Sequence, residues 1–365
     1  MSGGGILFLT VPRRGTLLFM SSDVKERTAF HACALARLGN YEQLSKLIAV
    51  HGSWERAWKK ISKNHPSVAA EAEWKKFAHT GIALVLRDEP GYPLLLREIS
   101  NAPWGIYVRG ALPSPALFAF AIVGTRNATE PSKELAEKFA YALAKENLAI
   151  VSGLALGIDA AAHRGCLDAK GVTVAVVATG LDQCYPRTNE ALGARIVKEG
   201  GALVSEYPPG VPALPHQFLE RNRIVSGLSR GILVVEAPFR SGSLATARFA
   251  TDQNRDVFAV PGPATHPNFA GSHELIRQGA MLVTAPSHIL ENYGVTEAHS
   301  PAAEQADTEE ARTILEHLRS LRRPAHIDKI IEATNLEANI VLQTVMFLVA
   351  AGHVAESNEG YAIKM

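Results

Sequence analysis

Short apolar runs recur through the middle of the chain, at 118–123, 148–151, 172–178, 202–204, 231–237, 257–260 and 280–283. Residues 231–237 are rich in β-branched side chains, the mark of a strand covered on both faces. Stretches with helical spacing stand between several of the runs, for example at 132–146 and 189–198. Strand–helix–strand repetition over 113–293 predicts an α/β fold, an extended Rossmann-like, largely parallel sheet. Ligands of such sheets bind at the carboxyl ends of the strands.

On either side of this region the period is helical. Over 23–76, Ala34, Leu35, Leu38, Leu44, Leu47 and Ile48 fall at the intervals of a small bundle, with breaks at Gly39-Asn40 and Gly52-Ser53. Such a module is either a helix-hairpin-helix (SAM-like) unit that touches DNA or a packing and dimer-supporting bundle. Pro90, Pro93 and Pro103 mark an irregular bridge, and 104–110 reads as a strand leading into the main domain. Residues 295–310 are acidic, Ala-rich and free of Lys and Arg, as a linker would be. Beyond them, helical patterns at 313–321, 326–334 and 337–351 precede a wing at 354–363, the order of a winged helix-turn-helix. The expected layout is therefore a loose extension over 1–22, a helical domain over 23–88, the Rossmann-like domain over 89–294, the linker over 295–310 and a winged-helix domain over 311–365. Patterning begins just after Met20, which makes Met20 an alternative natural start.

Bulk composition narrows the function. A chain of 365 residues exceeds one typical core. The formal net charge of +1 excludes a globally basic nucleic-acid coat, so any polyanion site is a local patch. The three cysteines, Cys33, Cys166 and Cys184, lack metal spacing, and their odd number without a signal peptide points to a reducing, cytoplasmic compartment. No run approaches the roughly twenty apolar residues of a membrane span.

The chemistry gathers where the strands end. After them come Gly124-Thr125-Arg126-Asn127, 152–159, 179–182 and Pro238-Phe239-Arg240-Ser241-Gly242-Ser243. Ser241-Gly242-Ser243 opening a helix offers free N–H groups, two hydroxyls and a positive dipole end, which suits a phosphate; an ordinary N-cap is the plain alternative. A dinucleotide fingerprint is absent, since Gly153 and Gly157 lack a third glycine, and no P-loop occurs. The rim instead carries arginines. Arg126, Arg187, Arg221, Arg223, Arg240 and Arg248 are each open to two readings: a phosphate fork, or an ion pair with an acid such as Asp159, Asp182, Glu206, Glu220 or Glu236. Asp159 and His163 share a helix face, either as a catalytic pair or as a packed helix-start acid beside a histidine.

Gly124-Thr-Arg126, Ser152-Gly-Leu-Ala-Leu-Gly-Ile-Asp159-x-x-x-His163, Gly180-Leu-Asp-x-x-Tyr185-Pro, Ser205-Glu-Tyr-Pro-Pro, Arg221-Asn-Arg-Ile-Val-Ser-Gly227, Arg240-Ser-Gly-Ser-Leu-Ala-Thr246 and Val260-Pro-Gly262 occur in that order. Together they resemble the DNA-processing protein A (DprA, or Smf) family. The resemblance covers 92–293. It implies a non-enzymatic, homodimeric protein that binds single-stranded DNA, protects incoming DNA in natural transformation and helps load the recombinase RecA, with no cofactor or metal. By motif, Gly124, Thr125 and Arg126 correspond to the family's Gly-Ser-Arg segment lining the DNA pocket, with Thr125 in place of the serine. Arg187 matches a basic residue that is often lysine there. Arg221, Arg223, Arg240, Ser241, Gly242 and Ser243 belong to the signature, and their expected DNA contact follows from their chemistry. The alternative is a Rossmann-like nucleoside-monophosphate phosphoribohydrolase. Its Pro-Gly-Gly-x-Gly-Thr loop and following glutamate are replaced here by Arg-Ser-Gly-Ser-Leu-Ala-Thr and Ala247. The third C-terminal helix, 337–351, has no Lys or Arg, which argues for a protein contact or accessory role over duplex readout.

Overall fold

The structure is a computed structural model that describes residues 21–295, 309–321, 324–350, 353–357 and 360–363. The expected extension over 1–22 and linker over 295–310 lie almost wholly outside the described residues. The chain falls into two compact units that divide between Tyr293 and Gly294.

The first unit opens with helices α1 (Ser21–Ala36), α2 (Tyr41–His51), α3 (Trp54–Ile61) and α4 (Ala70–Ala78). The breaks between them are caps. Asn40 Oδ1 accepts from the Gln43 N–H, Gly52 closes α2 at φ +72°, and Ser53 Oγ accepts from the Arg56 N–H. Phe30, Cys33, Leu44, Trp54 and Phe77 from these helices share one core with Tyr107, Ala175, Val177 and Ile196 of the sheet region. The helical segment is thus joined to the sheet by a common apolar interior.

That sheet has nine strands: β1 (Ala83–Leu86), β2 (Gly105–Gly110), β3 (Ala119–Val123), β4 (Ala149–Ser152), β5 (Thr173–Val176), β6 (Ala202–Ser205), β7 (Gly231–Val234), β8 (Asp256–Ala259) and β9 (Met281–Leu282). Their spatial order is β1-β2-β6-β5-β4-β3-β7-β8-β9. All seven apolar runs form strands, β3 to β9, and these pair in parallel. β3 is buried along its length, as a strand covered on both faces must be. The antiparallel pair β1 and β2 extends one edge, with β2 against β6. β1 lies beyond the 23–76 helical spacing but inside 23–88, which the expected layout gives to the helical domain.

Helices α5 (Leu94–Arg97), α6 (Glu130–Lys145), α7 (Ile158–Asp168), α8 (Glu190–Lys198), α9 (Pro215–Gly227), α10 (Gly242–Asp252), α11 (Ala270–Arg277) and α12 (Pro286–Asn292) complete the unit. From β3 the chain winds through α6, β4, α7, β5 and α8 to β6. It then returns through α9 to β7, on the other flank of β3. Winding reverses between β3 and β7, so the crevice beyond their carboxyl ends is the place where such a sheet takes a ligand.

The second unit holds α13 (Glu309–Leu321), α14 (Ile327–Thr334) and α15 (Ala338–Ala350), then β10 (Val354–Ser357) paired antiparallel with β11 (Gly360–Ile363). Its core is built by Ile314, Leu318, Ile330, Val341, Val345 and Leu348. The helical spacing in these segments puts those residues on one side of each helix.

Candidate nucleic-acid interface

A cleft of about 600 Å³ opens at the β3/β7 switch, lined by the loop after β3, the loop after β4, one face of α9 and the turn that starts α10. Gly124, Thr125, Arg126, Arg221, Arg240, Ser241, Gly242 and Ser243 all line it. These residues come from three separate stretches of sequence.

Arg126 is exposed, and its guanidinium lies over the Phe218 ring, 5.0 Å from the centroid. The loop that carries it begins with the Thr125 N–H donating to the Glu236 carbonyl at 2.7 Å, and Thr125 Oγ1 accepts from the Asn127 N–H at 3.3 Å. Across the cleft, Ser241 caps α10: its Oγ accepts from the Ser243 N–H at 3.3 Å and lies 2.7 Å from Ser243 Oγ. The N-cap reading of this turn is observed, and the cap leaves Gly242 exposed with open space beside its Cα. Arg240 stands exposed just before it. Arg126 and Arg240 make no ion pair among the described residues. Exposed aromatic surface borders the cleft at Tyr185 (47 % exposed), whose ring lies 5.2 Å from that of Phe218, and Phe239 is 66 % exposed beside Pro238 and Arg240.

Arg221 is the buried floor of the cleft. Its Nη1 donates to the Gly153 carbonyl at 2.6 Å and to the Val176 carbonyl. The Asp159 carboxylate beside it accepts from the Gly153 N–H at 3.1 Å and the Ala155 N–H at 3.3 Å. A Cβ at position 153 would meet both groups at 2.6 Å and would have to displace the hydrogen-bonded Arg221 and Asp159 side chains. Burial pulls the Arg221 guanidinium down to about 10, against the attraction of Asp159, and repulsion from Arg126 adds to the fall. It remains charged at neutral pH. Burial likewise raises the Asp159 carboxyl, while Arg221 and the two N–H groups oppose the rise.

Helical geometry separates the two arginines of the signature. Two residues along a helix turn through about 200°, so Arg223 faces away from the cleft. Its two Nη atoms each meet a Glu206 carboxylate oxygen at 2.6 Å, and it donates further to the Asn101 and Glu220 carbonyls. Burial works against this charge, but Glu206 outweighs it and holds the guanidinium above its ordinary value. The expected DNA contact of Arg223 is corrected accordingly: the ion-pair reading holds for this residue. Arg187 is exposed in the short 3-10 turn Arg187–Asn189. It is absent from the cleft lining but follows Pro186, which lines a small adjoining recess with Arg126 and Phe218. His163 does not meet Asp159; its Nδ1 lies 2.7 Å from Thr173 Oγ1. The catalytic-pair reading of these two residues is thereby corrected. Among the described residues, no three His, Cys, Asp or Glu side chains come together to hold a metal, and no helix is long and apolar enough to cross a membrane.

Glu236 went unassigned by sequence reasoning except as an arginine partner. Among the described residues it makes no ion pair with an arginine. Its signal in the sequence is an acid at the end of a buried-strand run.

Comparison with known proteins adds an independent line. The family model described as DNA recombination-mediator protein A matches residues 83–294. Protein Smf of Escherichia coli K12 is 46 % identical over 209 residues, which cover 57 % of this chain and 56 % of that protein. The chain thus spans little more than half of this relative. The solved DNA processing protein A of Streptococcus pneumoniae superposes with a TM-score of 0.60 at 31 % identity, covering 75 % of this chain and 98 % of that one. A Helicobacter pylori DNA processing protein A, solved to explain its single-stranded DNA binding mode, gives a TM-score of 0.52 at 27 % identity over 59 % of this chain and 97 % of that one.

Proposed function

The chain belongs to the DNA recombination-mediator protein A family, and on that footing we propose that it binds single-stranded DNA in the cleft beyond β3 and β7. One observation carries the reading: Arg126 and Arg240, without ion pairs among the described residues, stand on either side of the first turn of α10 in a chain whose net charge is only +1. Guanidinium forks and helix-start N–H groups hold phosphates. Exposed rings such as Tyr185 and Phe239 accept unstacked bases at about 1–3 kcal/mol each, without sequence preference. Arg221 and Asp159 shape the floor beneath, and Arg187 extends the basic surface past Pro186.

The protein acts by occupancy and transfer, not by bond breaking. It coats incoming DNA in the cytoplasm during natural transformation and delivers the strand to RecA, which docks on a separate surface. As a homodimer it presents two clefts to one strand and raises the effective concentration along it.

Arg126→Ala is expected to weaken binding to a labelled single-stranded oligonucleotide about tenfold, with the slope of log affinity against log salt reduced by about 0.7. The same variant loses acceleration of RecA filament assembly on strands coated with a competing single-strand binding protein, yet still captures RecA without DNA. Wild-type affinity and slope in the variant would remove Arg126 from the site, and no acceleration by wild type would end the transfer role.

The C-terminal unit is assigned a winged-helix role in protein contact. α15 has no basic residue, and Leu342 and Met346, one turn apart, are 48 % and 56 % exposed. A chain ending at Ala306 should keep its single-stranded DNA affinity within about threefold of the full chain. A tenfold loss, roughly 1.4 kcal/mol, would instead make this unit a DNA contact.

A further inference from the structure

Glu236 lies two residues beyond β7 in an otherwise apolar segment and is fully buried, at 0 % exposure. A buried carboxylate ordinarily requires a cation. This one is satisfied by neutral donors. Its Oε2 accepts from the Thr129 N–H at 3.0 Å and from Thr129 Oγ1 at 2.8 Å, and its Oε1 accepts from Asn268 Nδ2. Its own backbone carbonyl takes the Thr125 N–H at 2.7 Å. One residue therefore fastens the loop after β3 at both ends, at Thr125 and at Thr129. Asn268 Nδ2 also donates to the Asn127 carbonyl at 3.2 Å, which ties the middle of the loop to the same carboxylate.

Between these fastenings Arg126 and Asn127 line the cleft, and Arg126 is the one that carries charge. We propose that Glu236 is a positioning residue for nucleic-acid binding, which staples the 125–129 loop so that the Arg126 guanidinium is held at the cleft wall and available to phosphate. The inference rests on the reading of the cleft given above. Two further observations favour it. Thr129 is the residue before α6, so the carboxylate sits at the positive end of that helix dipole, where a negative charge is stabilised. Burial would raise this carboxyl, but hydrogen bonds from Ser132, Thr129 and Asn268 together outweigh it and hold the group below the ordinary carboxylate range. An ionised carboxylate whose oxygens are already taken has no need of Arg126, whose guanidinium lies instead over Phe218.

The test uses the full chain and a labelled oligothymidylate strand over a range of salt, with Arg126→Ala, Glu236→Gln, the double variant and Asn268→Ala. Glu236→Gln keeps the size of the side chain but turns an amide N–H₂ toward a donor. It should lose about tenfold in affinity and about 0.7 in salt slope, as Arg126→Ala does. In the Arg126→Ala background it should cost nothing more, because a staple has no effect once the group it positions is gone. Amide hydrogens of 125–129 should exchange faster in Glu236→Gln while those at the start of α10 do not. Asn268→Ala, which leaves the carboxylate intact, should lose about threefold and covers the case in which Glu236→Gln fails to fold. Losses that multiply in the double variant, or wild-type affinity and slope in Glu236→Gln (in Asn268→Ala where Glu236→Gln does not fold), would overturn the proposal. If Arg126→Ala weakens binding and the Glu236 variant does not, only the staple falls. If Arg126→Ala has no effect, the cleft reading falls and takes the staple with it.

Discussion

Glu206→Ala is expected to destabilise the first unit by about 3–5 kcal/mol at neutral pH, the cost of leaving one charge of a buried pair uncompensated. The side chains of Arg223 and Glu206 are only 4 % and 5 % exposed and meet at 2.6 Å. Removing the acid strands a guanidinium in the interior, with only the carbonyls of Asn101 and Glu220 left to receive it. Replacing both partners together, as Arg223→Met with Glu206→Leu, should recover most of the loss, since an apolar pair of similar volume needs no counter-charge. Urea unfolding followed by tryptophan fluorescence reads this unit cleanly. All four tryptophans, Trp54, Trp58, Trp74 and Trp104, lie before Tyr293. The paired variant that folds should bind single-stranded DNA as wild type does, because Arg223 faces away from the cleft. A loss under about 1 kcal/mol in Glu206→Ala, or a DNA defect in the paired variant equal to that of Arg126→Ala, would return Arg223 to the binding site.

The contrast between Arg221 and Arg223 marks what could be read from sequence. Periodicity located the strands, because a parallel sheet needs apolar runs between helices, and three of the four expected loops line the cleft, while 179–182 does not. Gly124, Thr125, Arg126 and the Ser241–Ser243 turn were found by that logic. The fate of the signature arginines was legible only as a choice, because Glu206 stood among several candidate acids and only the fold brings it to Arg223. The two-residue spacing of Arg221 and Arg223 already implies that only one of them need face inwards; which one was not legible, because a segment with Gln217, Glu220 and two arginines carries a weak apolar stripe. β1 was hidden for a related reason. Its four residues, Ala83–Leu86, are too short to set a period of their own, and only pairing with β2 settles them as a strand. Glu236 was visible as an acid where an apolar residue was expected. Its neutral partners, Thr129 and Asn268, lie on loops whose approach no local pattern encodes.

Acid should weaken the fold well before carboxylates are protonated. His163 is fully buried and its Nδ1 meets Thr173 Oγ1, which itself donates to the Ile150 carbonyl at 2.8 Å. Thr173 can therefore only accept from the ring, which places the proton on Nδ1 and leaves Nε2 bare. Nε2 has no partner among the described residues, so a second proton would be buried without an acceptor. Burial, reinforced by Arg221 and Arg164, pulls this histidine down to about 3. His31, against Tyr107 and ringed by Trp74 and Phe77, is pulled down to about 4 by burial, with Glu73 opposing. In the unfolded chain both titrate near 6.5. Between that value and their folded values the unfolded state binds more protons. Their contribution to stability is thus complete above pH 6.5 and is lost as pH falls toward 4 and 3. By pH 5 each should cost about 2 kcal/mol, together about 4, a large part of a typical folding free energy. Urea unfolding at pH 7 and pH 5 tests this. His163→Asn, whatever its stability at pH 7, should show a pH dependence shallower by about 2 kcal/mol, and His31→Asn likewise. A wild-type stability constant to within about 1 kcal/mol over that interval would mean that the two rings are not held neutral. Guanidinium groups and phosphodiesters do not titrate there, so the salt slope for DNA binding by the folded protein should stay the same at both pH values.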